Sequence, residues 1–165
     1  MANLNDVIRF TYINYPNKQE LSKARFTKLI YLIDWENAVE YGHQMTNINW
    51  LFNHYGPYVE DVVQEVSIDP FLKIVKEENY YGFTKELITF DKTADLKKIS
   101  IDSLSENDKE IIIDVIETTS PFYWNNFINH VYSTLPVKNQ VRYNHLDIIG
   151  NAKIVRDKTN SSSFE

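Results

Sequence analysis

No cysteine occurs among the 165 residues. That absence removes disulfides, thiolate metal sites, iron–sulfur clusters and cysteine nucleophiles together, and it fits a reducing compartment. Glycine is scarce, with four in the chain, which leaves little material for loops that cradle phosphates on bare backbone. There is no GxGxxG, no Walker-type GK[ST] and no GxSxG, so nucleotide-dependent catalysis and elbow-type serine hydrolysis find no motif. HExxH is missing too, and His43, His54, His130 and His145 form no pair four apart that would seat a metal. No run approaches the ~20 apolar residues of a spanning helix. The opening Met1-Ala2-Asn3-Leu4-Asn5-Asp6 has neither the basic residues nor the apolar stretch of an export signal. The expectation is a cytoplasmic protein, not an enzyme, with no membrane segment, metal or cofactor.

Basic charge is also in short supply, with 17 Lys and Arg against 23 Asp and Glu, a net charge of −6. Such a surface repels phosphate backbones unless its basic residues gather on one face. The densest basic pair, Lys97-Lys98, has Asp95 and Asp102 close by. Nucleic-acid binding is therefore disfavoured and a basic protein partner mildly favoured, although net negative charge also serves ordinary solubility.

What the chain does have is apolar mass. It is 43% hydrophobic and 14% aromatic, and at this length a domain removes roughly 70% of its unfolded surface from water, so a core forms without covalent staples. No repeat or linker divides the chain. Residues 1–158 read as a single domain, and the low-complexity run Asn160-Ser161-Ser162-Ser163 marks 159–165 as a disordered tail.

Periodicity predicts a mainly α (α+β) fold, a compact helical domain around a central buried helix with a small antiparallel β-hairpin. A first helix is expected from Leu4 to Tyr15, stopped by Tyr15-Pro16-Asn17. Asn17 with Glu20 is expected to cap the central helix, which runs to Tyr41 and closes at Gly42. Between Leu29 and Ile33 that helix is apolar apart from one tyrosine hydroxyl, so it has no solvated face. Thr46 to Tyr55 suits an extended segment. Gly56-Pro57 turns it, with Pro57 in the first turn of a helix through Val66 that Asp69-Pro70 ends. Phe71–Glu77 and Phe83–Phe90 form the hairpin, and Leu96–Asp102 is extended. Ser105 with Asp108 opens a helix to Thr118, another covers Pro121 to Ser133 and ends at Leu135-Pro136, and a short last helix from Leu146 frays into Asp157-Lys158.

Two segments carry candidate function. Asp34 and Glu36 sit among apolar residues, where a raised carboxylate pKa would suit acid–base chemistry. The competing reading, hydrogen bonding or pairing of Asp34 with a basic side chain brought in by the fold, ranks ahead because a charge near the core persists only when compensated. The second is the aromatic turn: Trp50, His54, Tyr55 and Tyr58 surround a rigid Gly56-Pro57. Aromatics on a fixed loop anchor protein interfaces because they bring large contact area at small entropic cost. Core packing is the commoner use of any one of them.

The ordered motifs Lys28-Leu29-Ile30-Tyr31-Leu32-Ile33-Asp34-Trp35, Tyr41-Gly42, Met45-Thr46 and Tyr55-Gly56-Pro57 resemble those of the SocA-like antitoxins, the family of the Panacea domain, also called phage-associated GepA-like proteins. The family pattern reads K-L-x-Y-x-x-D, then Y-G-x-x-[IM]-T, then a G-P turn. The likeness covers Leu4 to Val66 well and Ser120 to Pro136 loosely. It implies a bacterial or prophage antitoxin that neutralises a cognate protein toxin, encoded by the adjacent gene, through direct binding and without catalysis. A DNA-binding regulator, a phage-associated interaction protein and an enzyme using Asp34 or a histidine rank below it. The resemblance transfers no catalytic or toxin-contacting residue, so the expected partner surface, Trp50, His54, Tyr55, Gly56, Pro57 and Tyr58, rests on the aromatic turn alone. Asn47 to His54 is more aromatic than the aliphatic strand expected there, which points to a different partner surface.

Overall fold

Helix α2, Lys23–Tyr41, is buried without interruption from Arg25 to Trp35, as the unbroken apolar run requires. The computed structural model describes Met1 to Ser163, and within it the other elements pack around α2. These are α1 (Leu4–Asn14), α3 (Asp61–Ile68), α4 (Glu106–Thr119), α5 (Trp124–Tyr132), α6 (Leu135–Lys138) and α7 (Ile148–Ser162). Two small antiparallel sheets complete the mainly α fold, β1 (Phe52–Asn53) with β2 (Gly56–Pro57) and β3 (Leu72–Glu78) with β4 (Thr84–Phe90). The second pair is the expected hairpin, in register from Leu72↔Phe90 to Glu78↔Thr84. The core joins Leu29, Ile30, Leu32 and Ile33 of α2 to Val7 and Ile8 of α1, Ile112 and Val115 of α4, and Phe127 and Val131 of α5. Each such side chain contributes about 1.5–3 kcal/mol by leaving water.

Helix ends follow their local chemistry. Gly42 adopts a left-handed conformation (φ +83°) and returns its N–H to the Ala38 carbonyl at 2.9 Å, a closure that costs other residues a Cβ clash. Ser105 and Asp108 form a reciprocal capping box at the start of α4, and α3 ends immediately before Asp69-Pro70.

Four expectations are corrected. The central helix does not run on from Asn17. Lys18–Glu20 is a separate 3₁₀ turn, and Ser22 caps α2 by accepting the Arg25 N–H at 3.2 Å. The break arises because Leu21 serves the hairpin edge: its carbonyl accepts from Ile88 N at 2.9 Å, and Ser22 bridges Leu87. Pro57 sits in β2 opposite Phe52, and helix α3 begins later, at Asp61. Pro136 lies in the first turn of α6, where its missing N–H costs nothing, so it opens a helix where a stop was expected. The last helix continues through Ser162, with the hydroxyls of Thr159, Ser161 and Ser162 bonded to carbonyls four residues back in place of competing with the helix from outside it. Part of the expected tail is thus helical, while Phe164 and Glu165 lie outside the described residues.

Arg25 fastens the start of α2 to its surroundings. Its guanidinium donates to the Tyr15 hydroxyl (3.0 Å) and to the carbonyls of Thr119 (3.1 Å) and Phe122 (2.8 Å), and it lies over the Phe127 ring. On α1, Arg9 is likewise buried and paired with Asp69 at 2.7 Å.

Candidate functional site

The site is built outward from Asp34, whose carboxylate is completely buried in α2. Four donors converge on it. Oδ1 accepts the Thr46 N–H at 2.7 Å, and Oδ2 accepts the Thr46 hydroxyl (2.6 Å), the Trp50 indole N–H (2.8 Å) and the Gln44 amide (3.2 Å). All are neutral, so of the readings open for Asp34 the structure selects hydrogen bonding without a basic partner. Burial pushes its pKa up to about 6, against the pull of these four donors. With no exposed edge, the carboxylate has no route to a substrate proton and serves as the pin that holds the segment from Gln44 to Trp50 on α2.

Trp50 is therefore core. It is 1% exposed and packs edge-on against Tyr31, with ring centroids 5.5 Å apart. The chain leaves this anchor through Leu51 into β1, and the register Phe52↔Pro57 and Asn53↔Gly56 makes His54-Tyr55 the two-residue tip of a tight hairpin. Gly56 is needed here. Its φ is +99°, and a Cβ would come within 3.2 Å of the Tyr132 ring. On its other edge β1 is extended by a returning segment, where Phe52 N donates to the Asn144 carbonyl (2.9 Å), Tyr143 N to the Phe52 carbonyl and Leu146 N to the Trp50 carbonyl (2.8 Å). Arg142 Nε donates to the His54 carbonyl (2.9 Å), and the Tyr143 hydroxyl shares a hydrogen bond with His54 Nδ1 (3.0 Å).

The result is a braced platform with aromatic rings facing solvent. Tyr55 is 75% exposed and meets His54 edge-on at 4.5 Å, and Tyr143 is 65% exposed. Tyr143 is also the one non-glycine residue with positive φ (71°) among the described residues, a conformation that costs free energy unless its surroundings over-determine it.

Beside the hairpin lies a cleft of about 250 Å³ lined by Ala24, Lys28, Asn53, His54, Tyr55 and Tyr58. Lys28 enters it from α2 with only 2% of its surface exposed. Its ammonium lies 5.8 Å from the centre of the Tyr58 ring, and burial lowers its pKa to about 8. Ala24 also lines a second cleft that adjoins Tyr123 and Trp124, both exposed.

Of the six residues expected from sequence, the fold brings His54, Tyr55 and Tyr58 to one accessible cleft, buries Gly56 and Pro57 as its hairpin support, and places Trp50 beneath it. Lys28 and Tyr143 join the site without having been expected there. A lysine inside an apolar helical run is a signal for the first. Nothing in the local sequence announces the second, which arrives by a long-range backbone pairing. Tyr80, Tyr81 and Phe83, at 97%, 81% and 71% exposure, form a separate aromatic patch at the tip of the β3–β4 hairpin.

Among the described residues no group of histidine and carboxylate side chains could hold a metal ion, and no helix is long and apolar enough to cross a membrane. A family model described as Antitoxin SocA-like, Panacea domain, matches residues 26–135, about two thirds of the chain. The match begins inside α2, later than Leu4, and runs through the β3–β4 hairpin to the start of α6. No curated protein and no solved structure matches the chain.

Proposed function

The chain belongs to the SocA-like antitoxin family with its Panacea domain, and from that premise we propose that it neutralises a cognate protein toxin by binding it directly on the platform of His54, Tyr55 and Tyr143. The observation that carries this reading is the contrast between Trp50 and Tyr55. Neighbouring aromatics are split so that one is sealed against Asp34 while the other stands in solvent on a hairpin too short to flex. Rigid exposed aromatics lose little entropy on contact and are enriched among the residues that dominate interface energetics. Catalysis has no part in the reading, since Asp34 is consumed by internal donors. The toxin is the product of an adjacent gene, and the neutralising complex forms in the cytoplasm.

The test is co-expression. The neighbouring open reading frame should arrest growth when expressed alone and become harmless with this chain, and the two proteins should co-purify. A neighbour that is harmless alone, or that stays toxic beside this chain, overturns the reading.

A further inference from the structure

Buried ammonium groups ordinarily find acceptors, because an uncompensated charge taken from water is costly. Lys28 does not. Among the described residues no carboxylate, carbonyl or hydroxyl accepts a hydrogen bond from its Nζ, and no ion pair includes it, although the neighbouring cations are provided for. Lys23 pairs with Glu86 at 2.7 Å, and Arg25 has three acceptors. Among the described residues the cleft around Lys28 is lined by Ala24, Asn53, His54, Tyr55 and Tyr58, none of them a carboxylate. The lowered Lys28 pKa has burial as its cause, with no nearby carboxylate opposing it, which agrees with the geometry.

We infer that this cleft is a receptor for one acidic side chain, an Asp or Glu of the partner protein, whose carboxylate completes the coordination of Lys28 while its methylenes lie against Tyr55 and Tyr58. The inference rests on the antitoxin reading for the identity of the partner. Three observations choose the occupant. The unpaired ammonium selects an anion. The aromatic walls select one carried on an apolar stem. The volume, about 250 Å³, is below the roughly 300–1,000 Å³ usual for small-molecule and cofactor sites and suits a single side chain. The cleft is also continuous with the platform, since His54 and Tyr55 belong to both. A chain of net charge −6 would thereby present a local cation at the centre of its contact surface, favouring an acidic anchor over a uniformly basic partner.

Two measurements test this. With the unaltered protein carrying ¹³C-labelled lysine, N-acetyl-glutamate N-methylamide should shift the Lys28 ε-carbon resonance and move its titration midpoint upward, and the matching glutamine derivative should do neither. Equal shifts from both probes, or none from either, overturn the inference. Acetate binding as tightly as the glutamate derivative reassigns the cleft to free small carboxylates and overturns the side-chain assignment. In the second measurement, Lys28→Met should weaken binding to the neighbouring gene's product by about tenfold or more, as loss of a charge-assisted bond predicts, without lowering the unfolding midpoint. Lys28→Glu should abolish neutralisation and be rescued by Asp→Lys or Glu→Lys changes in the toxin. Undiminished affinity of both variants refutes the acidic anchor and leaves the antitoxin reading intact. If the unaltered chain fails to neutralise that product, the antitoxin reading falls, and the probe titration still decides the cleft.

Discussion

Replacing Trp50 by Phe separates a structural aromatic from a binding one. The indole N–H donates to the buried Asp34 carboxylate at 2.8 Å, and a hydrogen bond to a charged group contributes about 1.5–3 kcal/mol. Phe keeps the edge-on contact with Tyr31 but leaves unfilled the space of the second ring, adding about 1 kcal/mol. Asp34 Oδ2 retains the Thr46 hydroxyl and the Gln44 amide, so no acceptor is orphaned and the total should be about 3 kcal/mol. At a urea m-value of about 2 kcal/mol/M the midpoint falls by about 1.5 M, and the protein stays folded in buffer if its stability lies in the common range of about 5–15 kcal/mol. Urea titrations followed by far-UV circular dichroism measure the shift independently of tryptophan emission. Binding of the folded variant to the co-purifying partner should change little. An unchanged midpoint would refute the pinning role of Trp50, and a tenfold loss of affinity in a fully folded variant would put Trp50 back at the interface.

Tyr55→Ala should show the reverse pattern. An exposed side chain costs within about 0.5 kcal/mol of stability, yet partner affinity, measured by calorimetry, should drop about tenfold or more. Asp34→Asn should remove a pH dependence. Because burial raises the folded-state pKa from 3.8 to about 6, the native protein holds a proton there that the unfolded chain releases between those values. The associated stability is complete below about pH 4 and is lost as pH rises through 6, on the order of 2–3 kcal/mol. Wild-type stability should therefore decline relative to Asp34→Asn between pH 4.5 and 7.5, and urea midpoints that move in parallel across that range contradict the assignment. Ser105→Ala breaks the capping box of α4 and should cost about 1 kcal/mol in the same titrations, with no effect on partner binding.

Legibility of the fold from sequence tracked how local the controlling interactions are. The burial of α2 was readable because its apolar run has no polar face, Gly42 because a helix end there needs a left-handed residue, and Ser105 because its partner Asp108 is three residues away. The break at Leu21 was not readable, since the helix loses those residues to a strand whose Ile88 lies far along the chain. The same divide runs through the site. Trp50, His54 and Tyr55 look alike in a row of aromatics, and only the hairpin register together with the position of Asp34 decides which is inside. Pro57 falls on the same divide. A proline suits a first helical turn and an edge strand equally, and pairing with Phe52 settled the choice.

Lys28 and Asp34 show how one buried helix treats two opposite charges in different ways. Two opposite charges six residues apart in a buried segment could have neutralised each other. Here the carboxylate takes four neutral donors from the segment that follows α2, and that expenditure fixes the hairpin base against which Tyr55 and Tyr58 stand. The ammonium receives only the face of the Tyr58 ring and the open cleft. A ring face and cleft water compensate an ammonium less fully than a paired carboxylate does, so on the proposed reading an arriving Asp or Glu would complete what the free protein leaves open. Rigidity on one side of the helix and openness on the other thus go together: Asp34 is satisfied by its own chain, and on the proposed reading Lys28 is left for another.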